Sequence, residues 1–332
     1  MPLLLCLLLL GASPPAPLPV VPPVRVTLSA FGATGDIEVR DLPREAGQQA
    51  IRKAAAEVAE VERLTDSIHP DGGLTALSAA AGRGPQAVDP RLLTVLTRAQ
   101  DFCVWSERAH GPLARDLYAL WGLRAPAAAA PAPERVNPFL ELTACERLEL
   151  DLVKGTASLA PGSGLDLQGF SEGFAVDRAV ELLKQQGVTN ALVRIGTVWR
   201  GLGEGPAGRG WPVVLPPVAG LDEPPYRVFL RDKALAVAGR TDRPLIVDGE
   251  PLPPYLNQRT GQPVKNIVAS QAATTLAVDA QALAATMLIA GPRDGQLRLG
   301  SLKPKPAVLW FLGTGVGPPL RIEYHWSEVP KK

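Results

Sequence analysis

Histidine, cysteine and methionine are scarce in this 332-residue chain, with 3, 3 and 2 copies respectively. His69, His110 and His325 stand far apart, and no His-Glu-x-x-His pair exists, which excludes the zinc-protease helix. A Gly-x-Ser-x-Gly elbow and a Walker loop are also missing, so neither a hydrolytic triad of that type nor a P-loop is indicated. Each histidine is read as a surface or core residue. No Cys-x-x-Cys spacing occurs. With Cys6 inside the N-terminal apolar run, Cys103 and Cys145 are too few for a zinc site of their own. An oxidising compartment permits one disulfide between them, and buried free thiols are the default reading.

Charge of one sign is lacking too. The net charge of +1 gives no electrostatic case for nucleic acid or for an anionic membrane surface. No apolar run reaches the roughly 20 residues that span a bilayer, so no stable membrane span is expected. Gly201-Leu202-Gly203-Glu204-Gly205 is superficially like a dinucleotide loop, but Pro206 and Gly208 follow and no helix begins there.

What is present suits a folded protein: 46% apolar residues, 20% charged, and 34 prolines gathered near both ends and in 125–138 and 213–225, which read as loops and linkers. Residues 3–11 (L-L-L-C-L-L-L-L-G), followed by Gly11-Ala12-Ser13 and a proline-rich spacer, fit an export signal, although the usual basic start is missing. The expected organisation is export signal and spacer over 1–23, then one domain over 24–327, with the protein periplasmic or otherwise extracytoplasmic.

Val24–Ala30 alternates as a strand, turns through Phe31–Gly35, and returns over Asp36–Val39. Arg44–Leu64 is an amphipathic helix with Ile51, Ala54, Ala55, Val58 and Val61 on one face. Leu92–Arg108 and Asp116–Leu123 also read as helical. Strand signals follow over Leu148–Leu159, Ala191–Ile195, Trp211–Leu215, Tyr226–Leu230, Ala234–Val237, Leu245–Val247, Ala307–Leu312 and Leu320–Tyr324. Leu276–Gly291 is an alanine-rich helix. Helices and hairpins alternate without a fixed period, which argues for a single α+β domain with mixed, mostly antiparallel sheets and packed helices.

The stretch that organises the chain is Leu165–Asp177 (L-D-L-Q-G-F-S-E-G-F-A-V-D). An apolar approach carries Asp166; Gly169, Glu172 and Gly173 follow, and helical spacing starts from Phe174, with Gly187 as its stop. The two glycines allow close backbone approach, and a helix N-terminus offers free N–H groups to an anion. A tight turn with an acidic helix cap fits the same spacing.

Two further segments complete a set. Tyr255–Val264 (Y-L-N-Q-R-T-G-Q-P-V) is extended into a turn, and Ala280–Gly291 is helical. Taken in order, the three resemble the FAD:protein FMN transferase, or ApbE-like, family. Asp166, Leu167, Gly169, Gly173, Ala175, Val176, Asp177 and Arg178 fit its central pattern, and Glu172 matches one variant of it. Ala191-Leu192-Val193 with Ile195-Gly196, Asn257 with Arg259-Thr260-Gly261 and Pro263, and Ala280, Ala282, Leu283, Ala284 and Gly291 fit the rest.

The resemblance implies an enzyme that cleaves FAD, attaches FMN through its phosphate to a Thr or Ser of an acceptor flavoprotein subunit, and releases AMP. It implies Asp166, Glu172 and Gly173 in the FAD site and the backbone around Tyr255 beside the flavin. It also implies Mg²⁺ held partly by the backbone carbonyl at Gly169, and a nucleophile supplied by the acceptor, with no catalytic residue on this chain. Several positions depart from the family. Gln281 and Ala285 hold the places of the late helix's Asp and Thr, which lie i, i+4 on one face and reach one metal ion. Mg²⁺ favours charged oxygen ligands; a Gln amide is a weak one and Ala is none. Pro254 replaces a His, Gly111 an Asp, Thr197-Val198 a Gly-Asp pair, and Arg194 a polar residue. These changes set a second expectation beside the transferase, a non-catalytic flavin-binding or scaffold homologue. Arg194 and Arg200 are candidates either for meeting phosphate charge or for a solvated rim.

Overall fold

The computed structural model describes residues 22–123, 130–218, 220–221, 227–239, 244–314 and 317–326. The apolar run, Cys6 and most of the proline-rich spacer lie outside the described residues.

Eight strands form the main sheet, and their order across it is their order along the chain. They are β1 (Val24–Ala30), β2 (Ala33–Val39), β3 (Ala191–Ile195), β4 (Val198–Leu202), β5 (Lys233–Gly239), β6 (Ile267–Thr274), β7 (Ala307–Leu312) and β8 (Leu320–Tyr324). Every neighbouring pair is antiparallel, so the main sheet of this α+β domain is antiparallel throughout. The helices sit in the long connections: α1 (Arg44–Thr65), α2 (Pro90–Trp105) and α3 (Ser171–Gln185) between β2 and β3, and α4 (Ala277–Leu299) between β6 and β7.

Both faces of the sheet are covered, which explains why its strands read as short apolar runs. In β7, Val308 and Trp310 join the core under the helices, while Leu309 and Phe311 meet Trp211 and Trp326 on the other face. The second face is closed by the hairpin of Trp211–Val214 with Arg227–Leu230. On the helical side, Ile51, Ala54, Val58 and Val61 of α1 are all buried against α3 and the sheet. Truncating such a buried Ile to Ala costs about 2–5 kcal/mol.

Several expectations are corrected. The β1–β2 connection is a two-residue turn at Phe31-Gly32, both at positive φ, and Ala33–Gly35 are already strand. Pro133–Leu140 is a helix inside the stretch read as a linker, because a proline at the first helical position starts a helix as readily as it ends one. Strands β4 and β6 and the helix Gly73–Ala79 carry weak local signals. β6 reads I-V-A-S-Q-A-A-T, and its buried Ser270 and Gln271 are held in register by β5 and β7. Gly291 ends a helix as expected, with φ 74° and ψ 171°, but Pro292 starts another turn that runs on to Leu299.

Cys103 and Cys145 are joined in a disulfide, not left as free thiols. The bond ties the last turn of α2 to the short turn Cys145–Arg147. Their separation of 42 residues carried no sign of the pairing.

Candidate functional site

A cleft of about 930 Å³ opens beside the main sheet, within the size range of about 300–1,000 Å³ usual for small-molecule sites. It is lined by Asp166, Gln168, Glu172 and Gln281, by the segments Phe31–Thr34 and Arg194–Val198, and by Pro254 and Tyr255.

The bend at 165–170 is pinned by segments distant in sequence. The Leu165 N–H donates to Ser78 Oγ at 3.1 Å and the Asp166 N–H to the Pro112 carbonyl at 2.8 Å. The Asp166 carboxylate accepts from Ser67 Oγ and from the Gln168 N–H, each at 2.9 Å. Leu165, Leu167 and Phe170 anchor the bend in the core. Gly169 has φ +86°, the left-handed region that favours glycine, and a methyl there would stand 2.9 Å from the His110 ring and 3.1 Å from the Ala285 methyl.

The helix after the bend begins at Ser171, earlier than the expected Phe174, so Glu172 and Gly173 lie in its first turn. Glu172 faces the cleft. Gly173 is where α3 meets the start of α4: a methyl there would stand 2.5 Å from the Ala277 carbonyl oxygen, and its N–H donates to Gln281 Oε1 at 2.8 Å. The other end of that amide, Gln281 Nε2, donates to Glu172 Oε2 at 2.5 Å. The bend and the alanine-rich helix are packed directly together, and both contribute to the lining of the cleft.

Asp177 secures the same junction. Its carboxylate accepts the otherwise free N–H groups of Ala277 and Val278 at 2.8 and 2.9 Å, capping α4 from another helix. Arg200 reaches Asp177 at 2.8 Å and Glu181 at 3.3 Å. Burial pushes the Asp177 carboxyl up to about 6, while Arg200 and the two N–H groups pull it the other way. Arg200 is therefore buried structure, neither a solvated rim nor a phosphate ligand. Arg194 does line the cleft, with its guanidinium on Asp36 and its Nη1 donating to the Gly196 carbonyl at 3.2 Å.

His110 is the residue sequence reasoning passed over as ordinary core. It is fully buried, stacks on Phe170 with centroids 4.6 Å apart, and presents an edge to Tyr255 at 6.4 Å. Its Nε2 pairs with the Gln168 carbonyl at 2.9 Å and its Nδ1 with Thr286 Oγ1 at 3.0 Å. Burial holds its pKa down to about 4, so the ring is neutral at physiological pH. Its one detectable signal was its place immediately before Gly111-Pro112, a spot where the chain departs from the family.

The donor set does not fit Mg²⁺. Gln281 spends both ends of its amide on protein groups, and Ala285 offers no ligand atom. Asp279 is engaged by Arg98 at 2.6 Å, and the buried Thr286 hydroxyl lies between the Ala282 carbonyl at 2.7 Å and His110 Nδ1 at 3.0 Å. Among the described residues, no group of three or more His, Cys, Asp or Glu side chains is arranged to hold a metal ion. Gly111 has a separate cause: a Cβ there would lie 2.6 Å from Cys103 Cβ and 2.7 Å from its Sγ, so the close approach of the end of α2, with its disulfide, leaves no room for an aspartate.

Comparison with known proteins agrees with this geometry. Over 143 residues the chain is 32% identical to an FAD:protein FMN transferase of Treponema pallidum, spanning 41% of this chain and 39% of that protein. It is 25% identical to one of Rhodobacter capsulatus over 82% of this chain and 52% of that protein. The chain thus spans about two-fifths to one-half the length of these relatives, whereas it covers 86% of a Vibrio cholerae FAD:protein FMN transferase at 24% identity. Two solved structures share the fold. The flavin transferase ApbE of Vibrio cholerae matches with TM-score 0.78 and 23% identity, over 93% of this chain and 98% of that one. The ApbE protein of Thermotoga maritima matches with TM-score 0.80 and 20% identity, over 90% and 97%. No helix among the described residues is long and apolar enough to cross a membrane. The ApbE family's sequence model matches residues 31–310, nearly the whole folded region, and the chain belongs to that family.

Proposed function

We propose that this protein transfers FMN from FAD to a Thr or Ser hydroxyl of an acceptor protein. One observation carries the reading: in a chain of this family, the Asp166 bend and Gln281 of α4 close together on the wall of a ligand-sized cleft. In the reaction the acceptor's hydroxyl oxygen bonds to the flavin-side phosphorus, the anhydride bond breaks, AMP leaves with the bridging oxygen, and the hydroxyl proton is released. This chain's part is to hold FAD in a fixed pose for attack by an oxygen it does not itself supply. Asp166, fixed by Ser67 and the Gln168 N–H, offers a rigid acceptor to the ligand. Tyr255 also lines the cleft, beside the flavin in this reading, and Gly173 keeps α3 close enough to α4 for Glu172 to face the cleft. No step is routed through Mg²⁺, because the donors at its expected place do not fit it.

The same reading includes export. The Cys103–Cys145 disulfide supports it, since such bonds persist in oxidising compartments, and so does the leucine-rich start of the chain.

Incubating the protein with FAD and an acceptor flavoprotein subunit tests the function. Success is an acceptor band that stays fluorescent after denaturation, gains the mass of FMN, and appears together with AMP. An acceptor without label at every divalent-cation concentration removes the reading.

A further inference from the structure

The contact between the bend and α4 is the place where the family resemblance puts a divalent cation, against the Gly169 backbone and helix positions 281 and 285. Here that place is built shut. The His110 ring and the Ala285 methyl both stand against Gly169, at 2.9 and 3.1 Å from where its Cβ would be. His110, Ala285 and Thr286 are fully buried. The carbonyl of Gln168, the residue before Gly169, is paired with His110 Nε2 at 2.9 Å. On the other side of the ring, Nδ1 pairs with Thr286 Oγ1, so one imidazole links the bend to α4. One turn earlier in α4, the Gln281 amide links the first turn of α3 to the same helix, through the Gly173 N–H and the Glu172 carboxylate.

Each carboxylate facing the cleft accepts at least one hydrogen bond from the protein. Glu62 accepts the Phe31 N–H at 2.5 Å, and Asp66 accepts the Ile68 N–H at 2.7 Å. Asp166 accepts from Ser67 and Gln168, and Glu172 from Gln281. Two jobs that a cation would do here, holding the bend to α4 and pairing with Glu172, are done by neutral hydrogen-bonding side chains. Mg²⁺ sheds water reluctantly and needs oxygen ligands in near-octahedral geometry. The packing of His110 and Ala285 against Gly169 leaves no room there, and positions 281 and 285 supply no charged oxygen.

We infer that this chain has replaced the divalent cation of its fold by two of its own side chains, the His110 imidazole and the Gln281 carboxamide, and that its cleft takes up FAD without regard to divalent cations. The inference rests on the FAD-binding reading above, and its test separates the two. FAD is titrated into the full protein by flavin fluorescence, once with excess EDTA and once with millimolar Mg²⁺. Equal affinity, within about twofold, is expected. Binding that tightens by about tenfold or more with Mg²⁺ overturns the inference and leaves the FAD site standing.

A second measurement decides the matter if FAD binds in neither buffer, a result that would remove the FAD-binding reading. Mn²⁺ alone is titrated into protein labelled at its 3 histidines, and the ring signals are followed by NMR. His110 ring signals that stay sharp at Mn²⁺ equimolar with protein support the closed site. Selective loss of those signals at substoichiometric Mn²⁺ places a metal beside the ring and overturns the inference.

Discussion

Gln281 donates its side-chain amide to the carboxylate of Glu172, 109 residues earlier, at 2.5 Å, and with the same amide accepts the Gly173 N–H. A single neutral group thus joins the helix that follows the bend to the helix near the far end of the domain. Gln281→Leu keeps the bulk but leaves the buried Gly173 N–H without this acceptor. Stability should fall by about 1–3 kcal/mol, the cost of an unsatisfied buried donor, read from the midpoint of urea unfolding at an unchanged slope. An unchanged midpoint would mean that the amide does not hold this junction.

Gly173→Val tests the closeness of the two helices. With the Ala277 carbonyl oxygen 2.5 Å from where a Cβ would sit, α3 and α4 must separate, and Glu172 and Gln281 move with them. The variant should lose on the order of 3 kcal/mol of stability and bind FAD more weakly. A folded variant with unaltered FAD affinity would detach this contact from the cleft.

His110 makes stability depend on pH in a defined direction. Its pKa falls from the ordinary 6.5 to about 4 in the folded protein because burial disfavours the charged ring, with the Gln168 carbonyl and the charge of Asp166 opposing. Above pH 6.5 both folded and unfolded forms are neutral at this ring. As pH drops from about 6.5 towards 4, the unfolded chain takes up the proton first, so stability is lost across that window, by about 3 kcal/mol in all. His110→Phe retains a ring against Phe170 and cannot titrate, so its unfolding free energy should change less between pH 7 and pH 4. Parallel pH profiles for the two proteins would contradict the assignment.

Gly111 and the disulfide should prove coupled. Gly111→Ala puts a Cβ 2.6 Å from Cys103 Cβ and should destabilise the oxidised protein by roughly 1–3 kcal/mol. In a Cys103→Ala, Cys145→Ala background the contact with Sγ is gone while that with the Cβ of residue 103 remains, and the same change should cost somewhat less. The double-mutant cycle measures the difference, and strict additivity would show that the disulfide does not exclude a side chain at 111.

These cases mark what was legible in the sequence. Strands such as Ala191–Ile195, Ala307–Leu312 and Leu320–Tyr324 were readable to the residue, because short apolar or alternating runs bounded by turn residues mark strands. Asp166, Glu172, Tyr255 and Gln281 were read in family order, and all four line the cleft. Strand β6 was not legible, because Ala, Ser and Gln have little strand preference and only its neighbours impose the conformation. His110 was missed for a related reason: its partners Gln168 and Thr286 are 58 and 176 residues away, and no local pattern announces a contact made entirely by tertiary packing. The disulfide stayed open at the sequence level because two lone cysteines fix no distance. Neither reading of Arg200, as a phosphate-facing or a solvated cation, foresaw its burial, because its partner Asp177 lies on another element and only the fold brings the two together.

The account stands most directly on FAD occupying the cleft beside Asp166. Equilibrium dialysis of FAD against the wild-type protein and against Asp166→Ala measures this without any acceptor. The account predicts saturable one-to-one uptake by the wild type and binding about tenfold weaker or worse in the variant, whose fold is checked by its circular dichroism. No uptake by the wild type, or equal uptake by a folded variant, would contradict it.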